Sequence, residues 1–135
     1  MRFVPLLIVL ILIACGCGGR GGRSVTTEDG GGNGAAESEN FAGRLEAAKA
    51  IFDSNKRDAA LAKVALDAAE AGEGDFAKQA AKSIFDSNSK DSAAYNAAVA
   101  LAKAGKAKEA KEVADIIFDS NRKDAAMTKI AGGGK

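Results

Sequence analysis

The sequence predicts an all-α fold: a short stack of antiparallel helix hairpins with a disordered N-terminal tether. Three observations lead there. The decapeptide IFDSNKRDAA at residue 51 returns as IFDSNSKDSA at 84 and as IFDSNRKDAA at 117, a period of 33. Between the copies, apolar residues, mostly alanine, recur at helical spacing. Glycine and Asn/Asp positions interrupt that spacing at matching points of each copy. Self-similarity at about 33–34 residues marks a helix–turn–helix repeat. One such unit cannot bury its apolar face alone, so a neighbour must stack on it.

The period then places each element. Asn55, Asn88 and Asn121 are expected to take the left-handed conformation that ends a helix. Asp58, Asp91 and Asp124 are expected to cap the next helix by accepting its free amides. Gly72 and Gly105 end the capped helices. The predicted helices are 41–54, 58–71, 75–87, 91–104, 107–120 and 124–131, within a repeat domain at 41–131 and before a short tail at 132–135. Leu61, Val64, Ala65 and Ala68 form one inner stripe, and Ala94, Ala97, Ala98 and Leu101 its equivalent. Ala77, Ala80, Ala81 and Ile84 face them, as do Ala110, Val113, Ala114 and Ile117. Adjacent residues point about 100° apart on a helix. The isoleucines of IFDSN are therefore expected in the core of each repeat, and Phe52, Phe85 and Phe118 between neighbouring repeats.

The segment YNAAVALAKAGKAKEAKEVADIIFDSN at 95–121 resembles the tetratricopeptide class of helical repeats. Ala98 stands as the small residue of the first helix, Gly105 makes the turn, and Ala110 and Ala114 are the small residues of the second. The copy from Ala62 to Asn88 matches with Ala65, Gly72, Ala77 and Ala81. The chain departs from the family in lacking the first-helix tryptophan and the proline after the second helix, and in running 33 residues rather than 34. The resemblance implies a right-handed stack whose first helices line a concave, peptide-binding groove. Lys63, Asn96 and Lys129 align at the 33-residue shift and would form a column along it. Asn96 and Lys129 fall where some tetratricopeptide domains hold a carboxylate of an acidic peptide terminus. The competing account is three solvated polar residues.

The N-terminus has a different grammar. MRFVPLLIVLILIAC places one arginine before an apolar run that is too short to span a bilayer but fits the core of an export signal. Its boundary, Leu12-Ile13-Ala14-Cys15, resembles a bacterial lipobox. The resemblance implies a lipoprotein signal peptide at 1–14 and a mature chain beginning at Cys15, which would carry the diacylglycerol and an acyl (palmitate-like) chain. Gly16 stands where the enterobacterial pattern puts an aspartate for inner-membrane retention, so the resemblance leans toward the outer membrane. The alternative is an ordinary cleaved signal that leaves Cys15 and Cys17 as a stray pair. Residues 15–40 are rich in glycine and have no apolar period, as expected of a flexible linker with a reach of roughly 25–30 Å.

Composition narrows the chemistry. Lysine plus arginine number 19 and aspartate plus glutamate 18, for a net charge of +1, so nothing electrostatic points to nucleic acid as a partner. The chain has no histidine, the common general base and metal ligand. Two cysteines alone leave a zinc ion short of ligands. Asp-Ser-Asn-x-x-Asp begins like a calcium loop, but it lacks the glycine at the sixth position and the glutamate at the twelfth. No nucleophile–base pair can be assembled, so no enzyme, metal or cofactor is expected. The expected function is a lipid-anchored cell-envelope module that binds a protein or peptide. A small apolar ligand carrier and a passive structural spacer are the alternatives.

Overall fold

The computed structural model describes residues 34–133, with side chains from Asn40 onward. The predicted signal peptide, Cys15, the linker up to residue 33 and the last two residues of the tail lie outside the described residues. Those described are all-helical: α1 (Gly34–Lys49), α2 (Ser54–Glu70), α3 (Gly74–Ser83), α4 (Ser87–Lys103), α5 (Ala107–Ala114) and α6 (Ser120–Ala131). No strand occurs among them. The first helix begins at Gly34, ahead of the expected boundary at 41, so residues 34–40 belong to α1 rather than to the linker.

Packing follows the repeat. Helix α2 contacts α3 and α4, and α4 contacts α5 and α6. Further contacts join α3 to α5 and α1 to α2 and α3. Every residue of the four predicted inner stripes is buried, with Leu61, Ile84, Leu101 and Val113 the largest fully enclosed. Most of the stripe is alanine, which loses no side-chain entropy on burial and lets helix backbones approach closely.

The turn glycines do what the pattern requires. Gly72 and Gly105 have φ of +79° and +77°. The Gly72 amide donates to the Ala69 carbonyl at 3.1 Å and the Glu73 amide to the Ala68 carbonyl at 2.8 Å. Gly105 and Lys106 repeat this on Ala102 and Leu101 at 3.1 and 2.9 Å. This double closure satisfies carbonyls that the helix end would otherwise leave open.

The IFDSN punctuation works differently from expectation. Helices α1, α3 and α5 stop at Lys49, Ser83 and Ala114, before the isoleucine–phenylalanine pair or just short of it. Asn55, Asn88 and Asn121 lie inside the first turn of the following helix, and none has a positive φ. The caps are the aspartates of IFDSN itself. Asp53, Asp86 and Asp119 have extended backbones, and their carboxylates accept from the amides of Lys56, Ser89 and Arg122 at 2.9, 2.7 and 2.8 Å. Asp58 and Asp91, predicted to be caps, sit one turn inside helices α2 and α4 and are almost fully buried, with 6% and 5% exposure. Asp58 accepts from the amides of Phe85 and Asp86 at 3.1 and 2.9 Å. Asp91 accepts from those of Phe118 and Asp119 at 3.0 and 2.9 Å. Each carboxylate thus holds the loop that begins the next repeat. The two aspartates of a copy are five residues apart and lie near the same helix start, so sequence spacing alone does not say which one caps.

Candidate functional site

Three phenylalanines are the most unusual surface feature. Phe52, Phe85 and Phe118 are 102%, 82% and 80% exposed. They do not pack between repeats; the residue buried beside them is Ile84 or Ile117, with Ile51 half-buried. The local cause is legible. Each phenylalanine directly precedes an N-cap aspartate, so it lies outside the helix. An apolar residue there usually packs on the fourth helical residue. That residue is Arg57, Lys90 or Lys123, so no apolar partner exists in any copy. A cation at that position was the sequence signal for an exposed ring, and helix-face reasoning passes over it because the ring is not on a helix face.

An open cleft of about 770 Å³ lies along α2 and α4, lined by Lys63, Leu66, Asn96, Asn55, Asn88 and Ser92 among others. Lys63 and Asn96 are therefore brought together. Lys129 is exposed on α6 and is not among the cleft residues. The Lys63 ammonium lies 3.5 Å from Asp67, which also pairs with Arg44 of α1. These partners, the Arg44 hydrogen bond first, hold the Asp67 carboxyl below its usual range against a smaller opposing effect of burial. Lys63 is thus already partly neutralised, which weakens it as a clamp for a foreign carboxylate.

Asparagine supplies what lysine does not. Asn55 and Asn88 line this cleft, and Asn121 lines the adjoining one of about 420 Å³ with Tyr95, Asn96 and Arg122. All three are exposed and sit 33 residues apart. An asparagine amide both donates and accepts, so it can pair with a peptide backbone. Packed helices lie about 8–10 Å apart, close to three residues of extended chain.

Polar links between copies of the repeat lie both at this cleft and on the α3–α5 side. Lys78 of α3 donates to Glu112 of α5 at 2.7 Å, which raises the Lys78 pKa and lowers that of Glu112. Arg122 of α6 donates to the Asn88 carbonyl at 3.2 Å and to the Ser92 hydroxyl at 3.0 Å. Lys111 and Lys123 both pair with Asp115, at 2.9 and 3.1 Å, and keep its carboxyl below the usual range. Among the described residues no three His, Cys, Asp or Glu side chains gather to hold a metal ion, and no buried side-chain polar atom lacks a partner. No described helix is long and apolar enough to cross a membrane. No family model, curated protein or solved structure matches the chain.

Proposed function

We propose that the chain is a lipid-anchored cell-envelope module that binds a protein partner through a stack of tetratricopeptide-like helix hairpins. The observation that carries the proposal is the set of phenylalanines at 52, 85 and 118, exposed at the same point of three successive repeats. Single exposed apolar residues are ordinary on protein surfaces, but a repeated, register-locked set is the composition of a binding site. A cation follows each ring at the fourth helical position. The partner segment should therefore carry apolar side chains for the rings and a carboxylate for Lys90, since Arg57 and Lys123 already face Asp58 and Asp115. The stacked arrangement is supported by the contacts of α2 with α4, α4 with α6 and α3 with α5, each two elements apart. The short glycine turn between α2 and α3, and that between α4 and α5, supports antiparallel pairing within a repeat.

Anchoring rests on Leu12-Ile13-Ala14-Cys15, and Gly16 favours the outer membrane over the inner. Cells given a clickable fatty acid should label the wild-type chain and not Cys15→Ser; equal labelling of both, or of neither, would remove the anchor. The binding role is tested by cross-linking full-length chain to envelope proteins and comparing variants. Phe52→Ser with Phe85→Ser and Phe118→Ser should lose the cross-linked species that wild type forms. The groove pair Lys63→Ala with Asn96→Ala should lose it too only if the partner also runs through the cleft. The same cross-linked species from wild type and the triple variant would remove the rings from the binding site, and no cross-linked species from wild type would leave the chain a spacer without a specific partner.

A further inference from the structure

We infer that copies of this chain join head to tail through the same carboxylate clamp that joins its internal repeats. The inference does not depend on the partner proposed above. Each clamp has two halves: an aspartate one turn into a helix, and the two amides of a phenylalanine–aspartate loop. Asp58 holds the Phe85–Asp86 loop, and Asp91 holds the Phe118–Asp119 loop. The sequence spells three aspartates and three loops, so one of each remains. Asp124 occupies the clamp position on α6, where it is exposed and, among the described residues, its carboxylate accepts from no donor. The amides of Phe52 and Asp53 belong to the first loop and, among the described residues, no carboxylate holds them. Helices α1 and α6 make no contact with each other, so the two halves do not meet within one chain.

The apolar surface around each half is unfinished in the same way. Met127, Ile130 and Ala131 are the 33-residue counterparts of Ala94, Ala97 and Ala98, all of which are fully buried. On α6 the first two are only half-buried and the third is exposed. At the other end, Ala47 and Ile51 are the counterparts of Ala80 and Ile84. Ala80 and Ile84 are buried, whereas Ala47 is exposed and Ile51 half-buried. Among the described residues α3 follows α2, α5 follows α4 and no helix follows α6; α1 is a helix of the α3 and α5 kind, leading directly into the free loop. A second copy thus brings to α6 both the apolar cover and the two amide donors. The interface is heterologous, with different surfaces on its two sides. Such a contact propagates in an open series unless its rotation closes a ring.

Sedimentation velocity on the full chain in a mild non-ionic detergent tests this. Wild type should form a series of species that grows with concentration. Asp124→Ala should weaken association by roughly a hundredfold, the scale expected when one partner of a buried charged hydrogen bond is removed. At concentrations low enough for wild type to be monomeric its thermal unfolding should match that of wild type, because that carboxylate holds nothing within its own chain; at higher concentrations only wild type should gain melting temperature. Phe52→Pro removes an amide from the other half and should weaken association similarly, while Phe52→Leu keeps the amide and should not. A one-to-one mixture of Asp124→Ala and Phe52→Pro, each with one intact end, should give a heterodimer that grows no further. Wild type that stays monomeric at every concentration, or Asp124→Ala that associates as wild type does, overturns the inference; this comparison stands even if Phe52→Pro fails to fold. Association common to all variants would mark it as detergent-driven and count equally against the clamp.

Discussion

Asp91 and Asp86 are both aspartates that accept backbone amides, yet the consequences of losing them differ. Asp86 is an exposed cap at the start of α4, and its removal leaves the Ser89 amide free to bond with water instead, so the loss should be small. Asp91 is buried, and without it the Phe118 and Asp119 amides lose their acceptors. Hydrogen bonds to a charged acceptor are each worth about 1.5–3 kcal/mol, so Asp91→Ala should cost about 3 kcal/mol. Urea unfolding of the two variants side by side checks the order, and an Asp91→Ala loss no larger than that of Asp86→Ala would return Asp91 to a capping role. Asp86 also contributes to the response to acid. The Ser89 amide holds the Asp86 carboxyl below its usual value of 3.8. Because the folded value is the lower one, the stabilisation is complete above the unfolded value and is lost as pH falls through the folded one. Asp67, Glu112 and Asp115 are shifted in the same direction. Stability should therefore hold steady above about pH 5 and fall below about pH 4. Asparagine caps nearly as well without titrating. Asp86→Asn should accordingly flatten part of the acid loss, as read from melting temperature against pH.

At the scale of elements, two glycines carry different constraints. Gly105 closes α4 with φ of +77° and open space around it, so the penalty of substitution there is conformational. Gly105→Ala should destabilise by about 1–2 kcal/mol, the cost of a left-handed L-residue. Gly74 begins α3 with an ordinary φ, but a Cβ there would stand 2.6 Å from the Cβ of Glu109 on α5. That neighbour is the root of a side chain and cannot swing away. Gly74→Ala should cost about 1–3 kcal/mol through forced separation of α3 and α5. The double change Gly74→Ala with Glu109→Gly should recover most of that loss. A lack of recovery in thermal unfolding would place the strain elsewhere.

For the whole molecule, the repeats are coupled by both apolar contact and clamp, and the phenylalanines lie outside that coupling. Phe52→Ser with Phe85→Ser and Phe118→Ser should leave the unfolding free energy within about 0.5 kcal/mol per site, as exposed substitutions usually do. Truncating the buried neighbour, Ile84→Ala, should cost about 2–5 kcal/mol. Comparable losses from the two changes would mean that the rings are packed after all. Calcium should leave the melting temperature unmoved, because the caps and clamps already engage the carboxylates that a calcium loop would need.

The helical class, the six described helices, the glycine turns and the four buried stripes can be read from the residues alone. Each is a local matter: a 3.6-residue period or a glycine where φ must be positive makes the same statement in any surroundings. Lys63 and Asn96 line one cleft, as a 33-residue shift carries a residue to the equivalent face of the next helix. Which aspartate caps and which clamps, that Asn55, Asn88 and Asn121 face a cleft, and that the phenylalanines are free emerge only in the folded chain. Asp58 and Asp91 hold the amides of residues 27 and 28 positions away. The cap does not depend on that clamp: in the first copy, among the described residues, no carboxylate holds the Phe52 and Asp53 amides, yet α1 stops at Lys49, Asp53 caps α2 and Phe52 is exposed. The side-chain cap at the first aspartate of each copy therefore ends the preceding helix early and leaves the ring on no helix face. The clamp is written in the sequence only as an aspartate whose partner lies in the next copy.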